Sequence, residues 1–158
     1  VTLEFFGEHF TSNIQWSEEE LWTRNAATPG MFTDWKQVQY EQVTKVAING
    51  MGKPLDDLIP WLSGMDVEPI SCEDGTFINV VALGVDKATA LEPWLQWMNL
   101  GRADFAVFGD DLPDVKAMAL SDHAVAMANA RAEVKAVAHH VIGHCDEDAI
   151  GPYIEQWL

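Results

Sequence analysis

FAVFGDDLPDVKAM, residues 105–118, sets a short apolar strand against a loop holding Asp110, Asp111 and Asp114, and then passes into a helical period. The same rhythm recurs downstream: HAVAM (123–127) precedes NARAEVKAVAHH (129–140), and HVIG (140–143) precedes DEDAIGPYIEQWL (146–158). Short apolar runs alternating with helical periods predict βα units on a parallel sheet, so the fold class is α/β. Open sheets of this kind bind ligands beyond the carboxyl ends of their strands, which is where the three acids stand. An oxygen-rich group there suits Mg²⁺, which keeps several waters and favours carboxylates with phosphate oxygens. The same acids are also the makings of a helix cap, with Asp110 or Asp111 at the N-terminus and the others favoured by the helix dipole. On the residues alone, both readings stand.

Upstream of this stretch the pattern changes. VTLEFFGEHF (1–10) is strand-like, residues 17–20 offer a helix cap, and AATPG (26–30) breaks the chain. A strand is predicted over 45–48, a helix over 54–62, and two strands over 67–70 and 76–83 around the turn Glu73-Asp74-Gly75, an α+β pattern with a hairpin. The rhythm shifts near Leu83 to Asp86, which predicts two domains, 1–83 and 84–158. After Gly84, Leu91, Trp94, Leu95 and Met98 share one helical face. Pro93 lies inside that run, so either a kink or a helix whose regular part begins near Pro93 is expected. The chain opens on Val1 and runs straight into an apolar segment without Met or leader, as a piece of something longer would.

With 158 residues, 48% of them hydrophobic, the chain can bury the core of one or two compact units. Twenty-five Asp and Glu against nine Lys and Arg give a formal charge of −16, which argues against nucleic acid and anionic membranes as partners. A phosphorylated ligand would need a cation beside it. Cys72 and Cys145 are too few for a disulfide framework and read as free thiols, as in a reducing cytoplasm. No apolar run approaches the roughly 20 residues of a membrane span, and a soluble protein is expected.

GVDKATAL (84–91), the acidic loop and HAVAMANARAEVKAVAHHVIGHCDEDAIGPYIEQWL (123–158), in that order, resemble the Cof-type branch of the haloacid dehalogenase (HAD) phosphatases. The resemblance implies the second half of a HAD-like, Rossmann-like core with an α+β cap domain before it, and a Mg²⁺-dependent phosphatase acting on a sugar phosphate or similar small phosphomonoester. Carried over, Lys87 neutralises charge on the transferring phosphoryl group, Asp110 is the direct Mg²⁺ ligand and Asp114 the second acid that orients the metal's waters. Asp111 is a possible supporting acid. Asn129 matches a position near the site, and is equally a plain N-cap for the helix after it. Pro113 stands where the family has Asn, which removes an amide able to bond water or phosphate.

The family's DxDGT loop, which carries the nucleophile, has no match here. The one DGT, Asp74-Gly75-Thr76, follows Cys72-Glu73 and reads as a hairpin turn. The nucleophile is therefore expected upstream of Val1, and the chain alone is expected to be inactive; a non-catalytic Mg²⁺-binding or protein-interaction module is the other reading. His139, His140, His144 and Cys145 lack the spacing of a closed zinc site, and the histidines read as surface residues. The seven tryptophans read as core and cap-interface packing.

Overall fold

A computed structural model describes residues 1–5, 9–13, 17, 19, 31–37 and 40–157. These form two compact units, Val1–Gly84 and Val85–Leu158. Ser17 and Glu19 apart, the predicted cap at 17–20 and the breaker at 26–30 lie outside the described residues, as do Trp16 and Trp22.

The first unit is built on an antiparallel sheet of order β2-β1-β3-β5-β4. The strand-like run at the start divides into two strands, β1 (Thr2–Phe5) and β2 (His9–Ser12), paired from Thr2↔Ser12 to Phe5↔His9. β3 (Lys45–Asn49) joins β1 to β5 (Phe77–Ala82), and β5 pairs with β4 (Val67–Cys72) in the predicted hairpin. At its tip Asp74 and Gly75 take φ of 52° and 84°, the consecutive left-handed residues that Asp-Gly supplies most readily. Asp74 is thus a turn residue. Ile78, Val80 and Leu62 are buried, with Val46, Ile48 and Leu55 packed against them.

The helix predicted over 54–62 is shorter than expected. A 3-10 turn at Asp56–Leu58 runs into α1 (Ile59–Ser63). Pro60 has no N–H to give the Asp56 carbonyl, so α-helical bonding through this turn is lost and the helix can begin only where Pro sits in its first turn.

The second unit opens with α2 (Lys87–Met98). Asp86 caps it: its carboxylate accepts from Thr89 N–H at 2.8 Å while Thr89 Oγ1 accepts from Asp86 N–H at 2.9 Å. This capping box places the helix start at Lys87, so the alternative of a regular part beginning near Pro93 is corrected. Pro93 lies inside the helix and gives up the bond to the Thr89 carbonyl. Only Ala88 and Leu95 of α2 are buried. Trp94 and Trp97 are 48% and 78% exposed, and Trp61 and Trp157 are also exposed, which corrects the expectation of core packing for these four.

Three parallel strands follow in the order β6 (Ala106–Gly109), β7 (His123–Ala126), β8 (His140–Val141). Ala106 pairs with His123 and Gly109 with Ala126, while Val125 pairs with His140. The connections are α3 (Val115–Met118) and α4 (Ala132–Val137), and α5 (Ile150–Glu155) comes after β8. The mixed α/β class read from the strand-helix rhythm is therefore observed. Met118, Ala124, Ala126 and Val134 form the core, and the small side chains of β7 let the helices approach closely. Because the strands are parallel, the loops after β6, β7 and β8 all leave from one edge of the sheet.

Candidate active site

Those three loops carry Asp110, Asn129 and Cys145. β6 ends on Gly109, where an added Cβ would stand 2.6 Å from Asp114 Cβ and 2.9 Å from Met118 Sδ. The glycine lets the strand end close against the turn behind it, and Asp114 fills the space. We expect Gly109→Ala to cost about 1–3 kcal/mol through overpacking and to push Asp114 out of position; a urea midpoint unchanged from wild type would contradict this.

Asp114 is buried, at 7% exposure. Its Oδ2 accepts from the N–H groups of Asp110 at 3.0 Å and Asp111 at 3.2 Å, and its Oδ1 accepts from the Lys87 ammonium. Burial pushes the carboxyl upward, but the Lys87 hydrogen bond and the two amides outweigh it and hold the group below its ordinary value of 3.8. Asp114 is thereby kept ionised while it shapes the loop.

Asp111 turns the other way. Its Oδ1 accepts from Leu112 N–H at 2.8 Å and caps the 3-10 turn Leu112–Asp114, with Arg131 Nε 3.8 Å away. The cap reading thus describes Asp111. Pro113 occupies the first turn of the same element, where a missing N–H breaks no helical bond, so the departure from Asn leaves the backbone path intact.

Asp110 is exposed, and its Oδ2 accepts from Asn129 Nδ2 at 3.1 Å. Asn129 Oδ1 in turn accepts from Cys145 N–H at 3.1 Å. One amide therefore joins the loops after β6, β7 and β8. The alternative of Asn129 as an N-cap is corrected: Arg131 is the cap residue of α4, and no side chain bonds there. Near Lys87 a second ion pair, Lys116 Nζ to Asp86 Oδ2 at 2.7 Å, fastens α3 to the start of α2. The Lys116 hydrogen bond is the leading cause that holds the Asp86 carboxyl below its ordinary value.

A cavity of about 370 Å³ lies over this network, lined by Lys87, Asp110, Asp114, Met127, Cys145 and Ile150 among others. Lys87, Asp110 and Asp114 are thus brought together; Asn129 supports Asp110 from behind; Asp111 points to the helix start. A hard divalent cation fits this donor set. No hydrogen bond among the described residues engages Asp110 Oδ1, which leaves it for a metal. Asp114 spends three of about four acceptor positions, leaving one suited to a metal-bound water.

Three contributors escaped the sequence reading. Gly109 was signalled only by a glycine directly before an acid at a strand end. The Lys116–Asp86 pair had no signal, since its partners are 30 residues apart. Cys145, read as a free thiol, is exposed and also lines the cavity, and His144, Cys145 and Asp146 bring their ligand atoms within 4.8 Å of one another. His139 is also tied down, its Nδ1 accepting from Ala124 N–H at 3.1 Å.

A family model for haloacid dehalogenase-like hydrolases matches residues 8–154. The HMP-PP phosphatase of Serratia proteamaculans is 34% identical over 83 residues, 51% of this chain and 30% of that protein. The HMP-PP phosphatase of Cronobacter sakazakii is 28% identical over 130 residues, 80% of this chain and 48% of that protein. The solved structure of a haloacid dehalogenase-like hydrolase from Bacteroides thetaiotaomicron superposes with a TM-score of 0.74 at 21% identity, covering 99% of this chain and 60% of that one. That likeness establishes the fold. The chain spans less than half the length of the two phosphatases it matches.

Proposed function

The chain belongs to the haloacid dehalogenase-like hydrolases, in their Cof-type branch, and from that premise we propose that it carries the metal-and-lysine half of a phosphatase active site. The observation that carries this reading is the constellation of Lys87, Asp114 and Asp110 around one cavity, with Asn129 holding Asp110. The substrate is a small phosphorylated molecule, a sugar phosphate or similar phosphomonoester. On this reading residues 1–83 belong to the cap that selects it and residues 84–158 to the second half of the core.

Asp110 would hold Mg²⁺ directly and Asp114 through a water. When bound, the cation would neutralise phosphoryl oxygens and help to place the ester for in-line attack. Lys87 presents a fixed positive charge to the same group, and its pairing with Asp114 keeps the ammonium aimed at the cavity before substrate arrives. Asp114 orders the loop through the two amides it accepts. The attacking aspartate, with an acid-base partner, belongs to a core strand preceding this sequence. Among the described residues β6 pairs on one side only, with β7, which leaves an edge for such a strand.

In the full-length parent, phosphate release from a generic aryl phosphate is expected to require Mg²⁺, to cease with EDTA and to return when Mg²⁺ is restored. The 158-residue chain alone is expected to bind Mg²⁺ and release no phosphate. A parent that releases none under any Mg²⁺ concentration would leave the non-catalytic Mg²⁺-binding reading in its place.

A further inference from the structure

We propose that His144, Cys145 and Asp146 form a capture site for a thiophilic divalent cation, with Zn²⁺ as the type, on the rim of the Lys87–Asp110 cavity. The site is separate in its ligands from the carboxylate centre and does not depend on the phosphatase reading. Two of its ligand groups come from the turn Cys145–Glu147 that follows β8, and the third, His144, is the N-cap of that turn.

The three ligand atoms already cluster within 4.8 Å of one another. Cys145 Sγ lies 3.7 Å from His144 Nδ1 and 3.6 Å from Asp146 Oδ1, and His144 Nδ1 lies 3.4 Å from Asp146 Oδ2. With Zn–S near 2.3 Å and Zn–N or Zn–O near 2.0–2.1 Å, a tetrahedral ion separates its ligand atoms by roughly 3.3–3.6 Å. Because Sγ faces Oδ1 and Nδ1 faces Oδ2, the Asp146 carboxylate must turn to bring one oxygen toward both partners, starting from ligand atoms that lie within 4.8 Å of one another. Nδ1 accepts from Asp146 N–H at 3.2 Å, so its lone pair faces into the turn, and a metal would take the place of that long hydrogen bond.

The turn is held before any metal arrives. His144 N–H donates to Glu147 Oε2 at 3.2 Å and Glu147 N–H to the His144 carbonyl at 3.0 Å. Cys145 N–H is anchored on Asn129 Oδ1, and Ala128 N–H donates to the Gly143 carbonyl at 3.0 Å. A turn fixed in this way loses little entropy on binding. Three protein ligands leave the fourth position open, and Cys145 places it at the cavity wall. The mixed S, N, O set also separates the two sites by metal: thiolate and imidazole suit Zn²⁺, whereas Mg²⁺ prefers the all-oxygen surroundings of Asp110. Binding replaces the Cys145 S–H bond by a metal–sulfur bond, and the proton leaves to solvent.

The site connects to Asp110 by two hydrogen bonds, both through Asn129. A metal on Cys145 therefore pulls on the same amide that holds the Asp110 carboxylate.

The test uses Co²⁺ as a spectroscopic substitute for Zn²⁺ on the full 158-residue chain. One thiolate-to-cobalt charge-transfer band per chain is expected, bleached by stoichiometric Zn²⁺ and untouched by millimolar Mg²⁺. Cys145→Ser should abolish the band, His144→Gln and Asp146→Asn should weaken Co²⁺ binding at least about tenfold, and Cys72→Ser and Asp110→Asn should leave it in place. No band in the wild type, a band that persists in Cys145→Ser, or one lost in Cys72→Ser would overturn the site. If Cys145→Ser does not fold, as judged by far-ultraviolet circular dichroism, the His144→Gln weakening decides alone.

Discussion

Asp114→Ala is expected to destabilise the Val85–Leu158 unit by about 2–4 kcal/mol, read as a shift of the urea midpoint followed by tryptophan fluorescence. The cost comes mainly from two backbone donors. Without the carboxylate, the N–H groups of Asp110 and Asp111 lose the acceptor they share, in a turn whose Asp114 side chain is only 9% exposed. Stranded buried donors cost about 1–3 kcal/mol each, and partial access to water reduces that sum. The ion pair adds less, because the Lys87 side chain is 62% exposed and an exposed cation is screened by solvent. Lys87→Met should therefore cost under about 1 kcal/mol. A midpoint for Asp114→Ala equal to that of Lys87→Met would show that the charge, and not the amide contacts, holds the loop.

The same carboxylate has a pH signature. Its value in the folded chain lies below the ordinary 3.8, so the native state binds the proton more weakly than the unfolded chain does. Stability from this group is fully present above the unfolded value and drains away as pH falls through that value toward the folded one. The urea midpoint should be insensitive to Asp114 near neutrality and fall below about pH 4, with a shallower fall in Asp114→Ala. Asp86, held down by Lys116, acts in the same direction, so a Lys116→Met variant should lose part of the same acid dependence. A steeper acid fall in Asp114→Ala than in wild type would reverse the assigned direction.

The strand, acidic loop and helix over 105–118 were legible because periodicity and a cap signal act within a few residues. So was the hairpin at Asp74-Gly75, whose turn chemistry is local. Prolines were harder: Pro60 shortened a helix that its apolar spacing predicted, whereas Pro93 left one intact, because the Asp86 capping box and burial of Leu95 hold that helix around it. Asn129 shows the limit most clearly. Its neighbours in sequence fit a helix cap, but parallel pairing of β6, β7 and β8 brings Asp110 and Cys145, 19 and 16 residues away, within reach of its amide. The nearness of the His144, Cys145 and Asp146 side chains was illegible for a related reason, since consecutive residues match no spacing pattern until a capped 3-10 turn folds them together.

Asp110→Ala should separate the function of the loop from its stability, where Asp114→Ala cannot. The Asp110 side chain is exposed and accepts only the one described hydrogen bond, from Asn129, so its removal should change the urea midpoint by less than about 1 kcal/mol. Under the proposed function the same change removes the direct metal ligand, a larger loss than the 10–100-fold typical of a group that only supports one. In the full-length parent we therefore expect Mg²⁺-dependent phosphate release to fall by more than about a hundredfold, with Asp110→Asn nearly as impaired because a neutral amide holds Mg²⁺ weakly. Asp111→Ala supplies the contrast. Its carboxylate caps Leu112, so it should cost about 1 kcal/mol of stability and leave turnover within a few-fold of wild type. If Asp110→Ala retains phosphate release while Asp111→Ala loses it, the metal position has been assigned to the wrong acid; if both retain it, the loop is a helix start and the catalytic metal lies elsewhere.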